Sequence, residues 1–235
     1  MMSLPKALAR AAGQLADPAI LRVLAKSIVT TLAIFAVFGV ALWFAVDRAT
    51  ATWLLPMMPA DYGPGVTALV TTAILLVSGW LLFRIVALAV LQFFADEVVL
   101  AVERKYYPQA AASARQLPFR EDLRNSLRGL GRALLFNALA LPVALVLLFT
   151  AIGPAVVFLL VNAVLLGREL TEMVWLRHRT GSQDALPLGG PSRFLLGAAV
   201  TGLLAVPFAN LLAPVVGAAA ATHLVHSRKD RTSHA

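Results

Sequence analysis

The chain has 235 residues, of which 60% are hydrophobic and 14% charged, with 20 Lys and Arg against 12 Asp and Glu. Soluble domains are about 45–50% apolar and about 25% charged; together with a mean hydropathy of +0.81, this departure excludes an ordinary soluble enzyme and points to a bilayer. The lack of cysteine rules out disulfides and thiolate metal sites, and cations that flank oily segments without interleaved aromatics suit anionic headgroups rather than nucleic acid.

Residues 1–16 read as an amphipathic N-terminal segment. Asp17 is placed as an N-cap and Pro18 as the first helical residue, so a long helix is expected over 17–46. Its part 27–46, SIVTTLAIFAVFGVALWFAV, has 20 residues and no charge. A helix of that length crosses about 30 Å of hydrocarbon. The run starts late and is long for the core of a cleavable signal, so it is expected to stay as a span. The next charge-free block, 62–83, has 22 residues, and no proline follows it before Pro108. One helix is therefore expected over 64–107, leaving the bilayer as an amphipathic extension. Val86, Val90, Phe93, Phe94, Val98 and Val102 fall near one face of it. Arg84 reads as a snorkelling interface residue, with a pore lining as the alternative. Over 118–132, Arg120, Arg124, Arg128 and Arg132 recur every four residues against Leu123, Leu127 and Leu130. That is a basic amphipathic helix, suited to a headgroup surface or, alternatively, to an anion funnel.

Two further blocks are longer: 35 uncharged residues between Arg132 and Arg168, and 34 between Arg193 and Arg228. Either would be about 50 Å as one helix, and each is short of the roughly 40 residues that two full spans need. Breakers sit near both centres: Gly153-Pro154 in the first, and Pro207, Asn210 and Pro214 in the second. Re-entrant hairpins are expected over 133–167 and 194–227, with Asn210 hydrogen-bonding the backbone that the prolines free. Two Pro-kinked spans per block are the alternative. Residues 228–235 read as a disordered tail. The loop 47–61 has Arg48 as its only cation, whereas every other inter-block segment is rich in them. By the positive-inside rule both termini are then cytoplasmic.

The final hairpin, VPFANLLAPVVGAAAATHLVH, resembles the P-x-x-N-L-x-x-P C-terminal signature of the CysZ sulfate-permease family, also called the etoposide-induced-protein family. GRELTEMVWLRHR (residues 167–179) and ADEVVLAVERKYYP are similar to that family's segments between the hairpins and after its long second helix. The resemblance covers about residues 10–228. It implies an all-α bacterial inner-membrane protein with two spanning helices, the second one long, two hemi-penetrating hairpins, amphipathic interfacial helices and homo-oligomeric assembly. It also implies sulfate uptake for cysteine synthesis. The family's proposed sulfate site is a Gly-Leu-Arg-type motif at the start of the first membrane helix, matched here by Asp17-Pro18-Ala19-Ile20-Leu21-Arg22. Ala19 replaces the glycine and Leu21 the first arginine, leaving Arg22, with Lys26 one turn on. Ala19, Ile20, Arg22 and Lys26 are the expected ligand-binding residues; free amides, the helix dipole and a guanidinium together suit an oxyanion. Asp17 would repel one. The family's small-Pro-Phe element appears as Leu91-Gln92-Phe93-Phe94, without its proline.

Arg168 and Glu172 are spaced for an i,i+4 pair. Gly217 and Ala221 form a small-xxx-small pair, read as helix packing. His223 and His226 lie three residues apart with no third ligand nearby in sequence, so no metal site and no cofactor are expected. There is no P-loop, nucleophile elbow or paired-carboxylate arrangement, and no enzyme is expected. The expected function is an inner-membrane permease or channel for an oxyanion, sulfate by resemblance, in contact with the lipid bilayer. The alternative is a non-transporting membrane scaffold or interaction protein that keeps the fold and has lost the anion site.

Overall fold

In a computed structural model, residues 2–57, 64–115, 117–179, 185–207 and 209–232 are described. Among these residues every regular element is helical. The elements are α1 (Leu4–Gly13), α2 (Pro18–Ala49), α3 (Pro64–Tyr106), α4 (Pro108–Ser113), α5 (Phe119–Val146), α6 (Gly153–Trp175), α7 (Gly190–Ala205) and α8 (Ala213–Thr232). Residues 1, 58–63, 116, 180–184, 208 and 233–235 lie outside the description. The chain forms two compact units: Arg22–Phe94, and Met1–Leu21 with Ala95–Ala235.

The unit Arg22–Phe94 holds most of α2 and the first part of α3. Phe35 and Phe83 meet edge-to-face with ring centroids 5.6 Å apart. Outward faces carry exposed Val37, Trp43, Phe44, Leu76 and Trp80. Such a surface is unfavourable in water and natural against lipid tails. Two of the hydroxyls on this oily helix bond back to the helix itself: Ser27 donates to the Leu24 carbonyl and Thr31 to the Ser27 carbonyl, both at 2.8 Å. Neither needs water.

The second unit is built around α8. Its run Gly217-Ala218-Ala219-Ala220-Ala221 has almost no side-chain bulk, so neighbouring helices approach closely, and Ala218 to Ala221 are fully buried. A Cβ on Gly217 would lie 3.1 Å from Leu170 of α6 and 3.1 Å from Val200 of α7. Helix α1 packs on α8 through buried Ala7 and Ala11. The tightest approach is between α6 and α7. A Cβ on Gly167 would fall 1.8 Å from the Arg193 carbonyl oxygen, and one on Gly197 would fall 1.9 Å from that of Ala163. The two backbones are in direct contact there, as small residues permit. Where α3 enters this unit, its apolar face is buried as its periodicity predicts. Val98 and Val102 are fully covered within this unit; Val86 and Phe94 are buried in the other; the side chains at 90 and 93 lie outside the description.

Helix α5 differs from the expected layout. It runs without interruption from the arginine-bearing half into the apolar half, so no break separates residues 132 and 133. Good helix formers (Ala133, Leu134, Leu135) follow Arg132 and nothing there ends the helix. Helix α6 likewise continues past 167 to Trp175. Among the described residues three helical stretches, Pro18–Trp53, Phe119–Thr150 and Gly153–Trp175, are long and apolar enough to cross a membrane. Helix α8 runs on to Thr232, so residues 228–232 are helical rather than the start of a tail. Arg228 there donates to Ser192 Oγ at 3.1 Å, tying the helix end to the start of α7.

Between α5 and α6 the chain turns within a few residues. Thr150 Oγ1 donates to the Leu147 carbonyl at 2.7 Å and accepts from the Gly153 amide at 3.0 Å. Ala151 has φ 59° and ψ −46°, and across it the Ile152 amide donates to the Thr150 carbonyl at 2.6 Å. This is a strained γ-type turn, in a region that costs a non-glycine residue about 1–3 kcal/mol. Gly153 is required for a different reason: a Cβ there would sit 2.4 Å from Leu147 Cβ and 2.4 Å from Thr150 Oγ1. Opposite outcomes are therefore expected in thermal unfolding of the detergent-solubilised protein. Ala151→Gly should raise stability by about 1 kcal/mol after the cost of added chain entropy, whereas Gly153→Ala should lower it by about 1–3 kcal/mol. A lowered midpoint in both would contradict this turn.

At the second break, Val206–Leu212, turn hydrogen bonds pair the described backbone amides of Ala209, Asn210 and Leu212. The Ala209 amide donates to the Pro207 carbonyl at 2.8 Å, Asn210 to Val206 at 3.0 Å, and Leu212 to Ala209 at 3.0 Å. No hydrogen bond of the Asn210 side chain is found among the described residues. Pro214 lies in the first turn of α8, where its missing N–H is no loss.

Candidate functional site

The start of α2 is held by its cap. The Asp17 backbone is extended (φ −68°, ψ 129°) and its carboxylate accepts from the Ala19 amide at 3.2 Å. The same carboxylate forms an ion pair with Lys105 of α3. The Lys105 hydrogen bond holds the Asp17 carboxyl below its usual range, and Asp17 in turn raises Lys105. Ile20 is buried. Thus one amide available to an anion is taken by Asp17, and Ile20 faces the core. Arg22 and Lys26, in the other unit, are exposed one turn apart on α2. Lys26 Nζ sits 5.0 Å from the centre of the Phe94 ring, a cation–π contact.

Further along, Arg120, Arg124 and Arg128 are exposed, whereas Arg132 is half-buried. Arg132 donates to Glu172 at 2.5 Å, and Glu172 also accepts from Arg168 at 2.7 Å in the expected i,i+4 pair. Beside them is a cleft of about 390 Å³ between α3, α5 and α6, lined by Asp96, Asn125, Arg132, Glu169 and Glu172 among others. Three carboxylates against one guanidinium make a poor receptor for a dianion. Glu121 gathers Arg115 at 2.8 Å and Arg179 at 2.6 Å, joining α5 to the segment after α6. The side chain of Arg84 lies outside the description.

The most buried polar cluster involves residues that are not neighbours in sequence. Glu103 of α3 has no exposed surface. Its Oε1 accepts from His178 Nε2 at 2.7 Å and from His226 Nε2 at 3.0 Å. Burial pushes the Glu103 carboxyl up, but the bonds from His178 and His226 outweigh it and hold the group down at about 2. The carboxylate is therefore ionised, and its second oxygen, Oε2, has no hydrogen-bond partner among the described residues. Tyr107 stacks on His226 with ring centroids 4.7 Å apart and an interplanar angle of 29°. His223 extends the cluster: Gln14 Nε2 donates to His223 Nε2 at 2.8 Å. The imidazole proton is then on Nδ1, which donates to the Tyr107 hydroxyl at 2.9 Å. Spacing alone singled out His223 and His226 but not Glu103 or His178; Glu103 meets His178 across 75 residues of chain and His226 across 123.

Apolar helices of crossing length, together with outward-facing Leu, Val, Phe and Trp, define an α-helical membrane protein. Residues 7–214 match the family described as Sulfate transporter CysZ/Etoposide-induced protein 2.4. The chain belongs to that family. No curated protein and no solved structure matches it.

Proposed function

We propose that this protein is a bacterial inner-membrane permease or channel for an oxyanion, with sulfate as the ion its family points to, supplying sulfur assimilation. The observation that carries this reading is the exposed Arg22–Lys26 pair, two cations one turn apart near the start of an apolar helix of crossing length. Arg22 is the arginine the family motif retains, and a guanidinium beside an ammonium suits a tetrahedral dianion. Re-entrant hairpins at the Gly153-Pro154 and Pro207–Pro214 breaks, cytoplasmic termini and homo-oligomeric assembly belong to the same reading. They are supported by the breakers, the cation distribution and the family.

A second reading has its own observation. Asp17 takes the Ala19 amide and pairs with Lys105, which leaves the motif's upstream part committed to structure. A scaffold that keeps the fold without transport accounts for that. Uptake of labelled sulfate by the purified protein in liposomes separates the two. The permease reading expects influx well above protein-free liposomes and competition by unlabelled sulfate. Influx equal to the empty liposomes would move the conclusion to the scaffold.

A further inference from the structure

We infer that Glu103, His178 and His226 form a binding site for a divalent transition-metal ion of the zinc type, clamping α3, the turn after α6 and α8 together. The three potential ligand atoms, one from each residue, lie within 4.8 Å of one another. Ligands on a tetrahedral zinc, each about 2.0–2.1 Å from the ion, are about 3.3 Å apart. The Nε2–Oε1 separations of 2.7 and 3.0 Å need to open by a few tenths of an ångström, and the separation between the two imidazoles, which is within 4.8 Å, to close by up to about 1.5 Å, to admit one.

The charge and hydrogen-bond inventory favours an ion over a purely hydrogen-bonded cluster. Glu103 is fully buried, both donors converge on Oε1, and Oε2 has no partner among the described residues. A buried carboxylate with one oxygen unsatisfied is costly. A dication offsets the negative charge and can bind either oxygen. Two imidazoles with one carboxylate suit zinc and its first-row neighbours rather than calcium or magnesium, which prefer all-oxygen shells.

The surroundings are those of a built site. His226 is fixed by the Tyr107 ring, and Tyr107 is fixed in turn by His223, a supporting shell of the kind that orients metal-bound imidazoles. With the ion on Nε2 of both rings, the protons of His178 and His226 move to their Nδ1 atoms. Three protein ligands leave a fourth position for water or a small anion.

The test uses the full-length protein purified without a polyhistidine tag. After zinc loading and desalting, elemental analysis should find about one zinc per chain, as for a single three-ligand site. Cobalt(II) loading should give visible d–d absorption of four-coordinate intensity, and zinc should raise the melting midpoint while chelator lowers it. Glu103→Gln and His226→Asn should each weaken zinc binding at least about tenfold. His223→Asn, which removes the group that holds Tyr107 but no ligand atom, should weaken zinc binding less than either ligand change. The wild-type cobalt spectrum stands independently if a variant fails to fold. Wild-type protein that retains no zinc and gives no cobalt band would overturn the site, as would unchanged zinc affinity in both Glu103→Gln and His226→Asn.

Discussion

Gly197→Ala is expected to lower the thermal midpoint of the detergent-solubilised protein by about 5–10 °C, corresponding to about 2–3 kcal/mol. The added methyl would lie 1.9 Å from the Ala163 carbonyl oxygen and 2.6 Å from the Gly167 amide nitrogen. Both are backbone atoms, which cannot swing aside as a side-chain end can. Helices α6 and α7 must separate, and the surface of Leu170 and Val200 packed on Gly217 of α8 loosens with them. Gly202→Ala, on the same helix, is the matched comparison, because nothing lies within 4 Å of a Cβ there. Alanine is the better helix former by about 1 kcal/mol, so that variant should be neutral or slightly stabilising. Equal shifts in the two variants would mean that α6 and α7 do not cross at Gly167 and Gly197.

The second large effect concerns Arg22. A charge-assisted hydrogen bond contributes about 1.5–3 kcal/mol, so Arg22→Ala should weaken sulfate binding about ten- to a hundredfold. Arg22→Lys should restore only part of the loss, since an ammonium keeps the charge without the planar fork. Asp17→Asn should act in the opposite direction. It keeps an oxygen to accept from the Ala19 amide, removes a negative charge and releases Lys105 from its ion pair. Calorimetric titration with sulfate at fixed ionic strength compares these variants directly. Unchanged affinity in Arg22→Ala would remove Arg22 from the site, and an absence of heat in the wild type would favour the scaffold.

Some features were legible because their signals act within one turn of helix. Asp17 and Pro18 mark the start of α2 by capping chemistry alone, and the Asp17 carboxylate does accept the Ala19 amide. The long α3 follows from apolar periodicity and the absence of proline between Pro64 and Pro108. Arg168 and Glu172 pair because four residues bring them to one helix face. The small residues of α8 announce close packing by their size. Membrane character follows from composition, since helices as oily as Pro18–Trp53 have no stable place in water.

Other features depended on where helices meet. Ala151 adopts φ 59° although it is neither glycine nor asparagine, because the turn between α5 and α6 demands it. Asn210 was a reasonable candidate to satisfy the broken backbone, yet turn hydrogen bonds between Val206 and Leu212 supply what it was expected to supply. Lys105 lies 88 residues from Asp17, so their pairing could not be read from a local motif. The same holds for Glu103, His178 and His226. The sequence by itself determined the membrane class, the long helices, the breaks and the capped start of α2, because hydrophobic periodicity and capping are properties of neighbours along the chain. Only the tertiary structure decided which carboxylate meets which histidine and which glycines let α6 touch α7, because those distances are set by the packing of helices from distant parts of the chain.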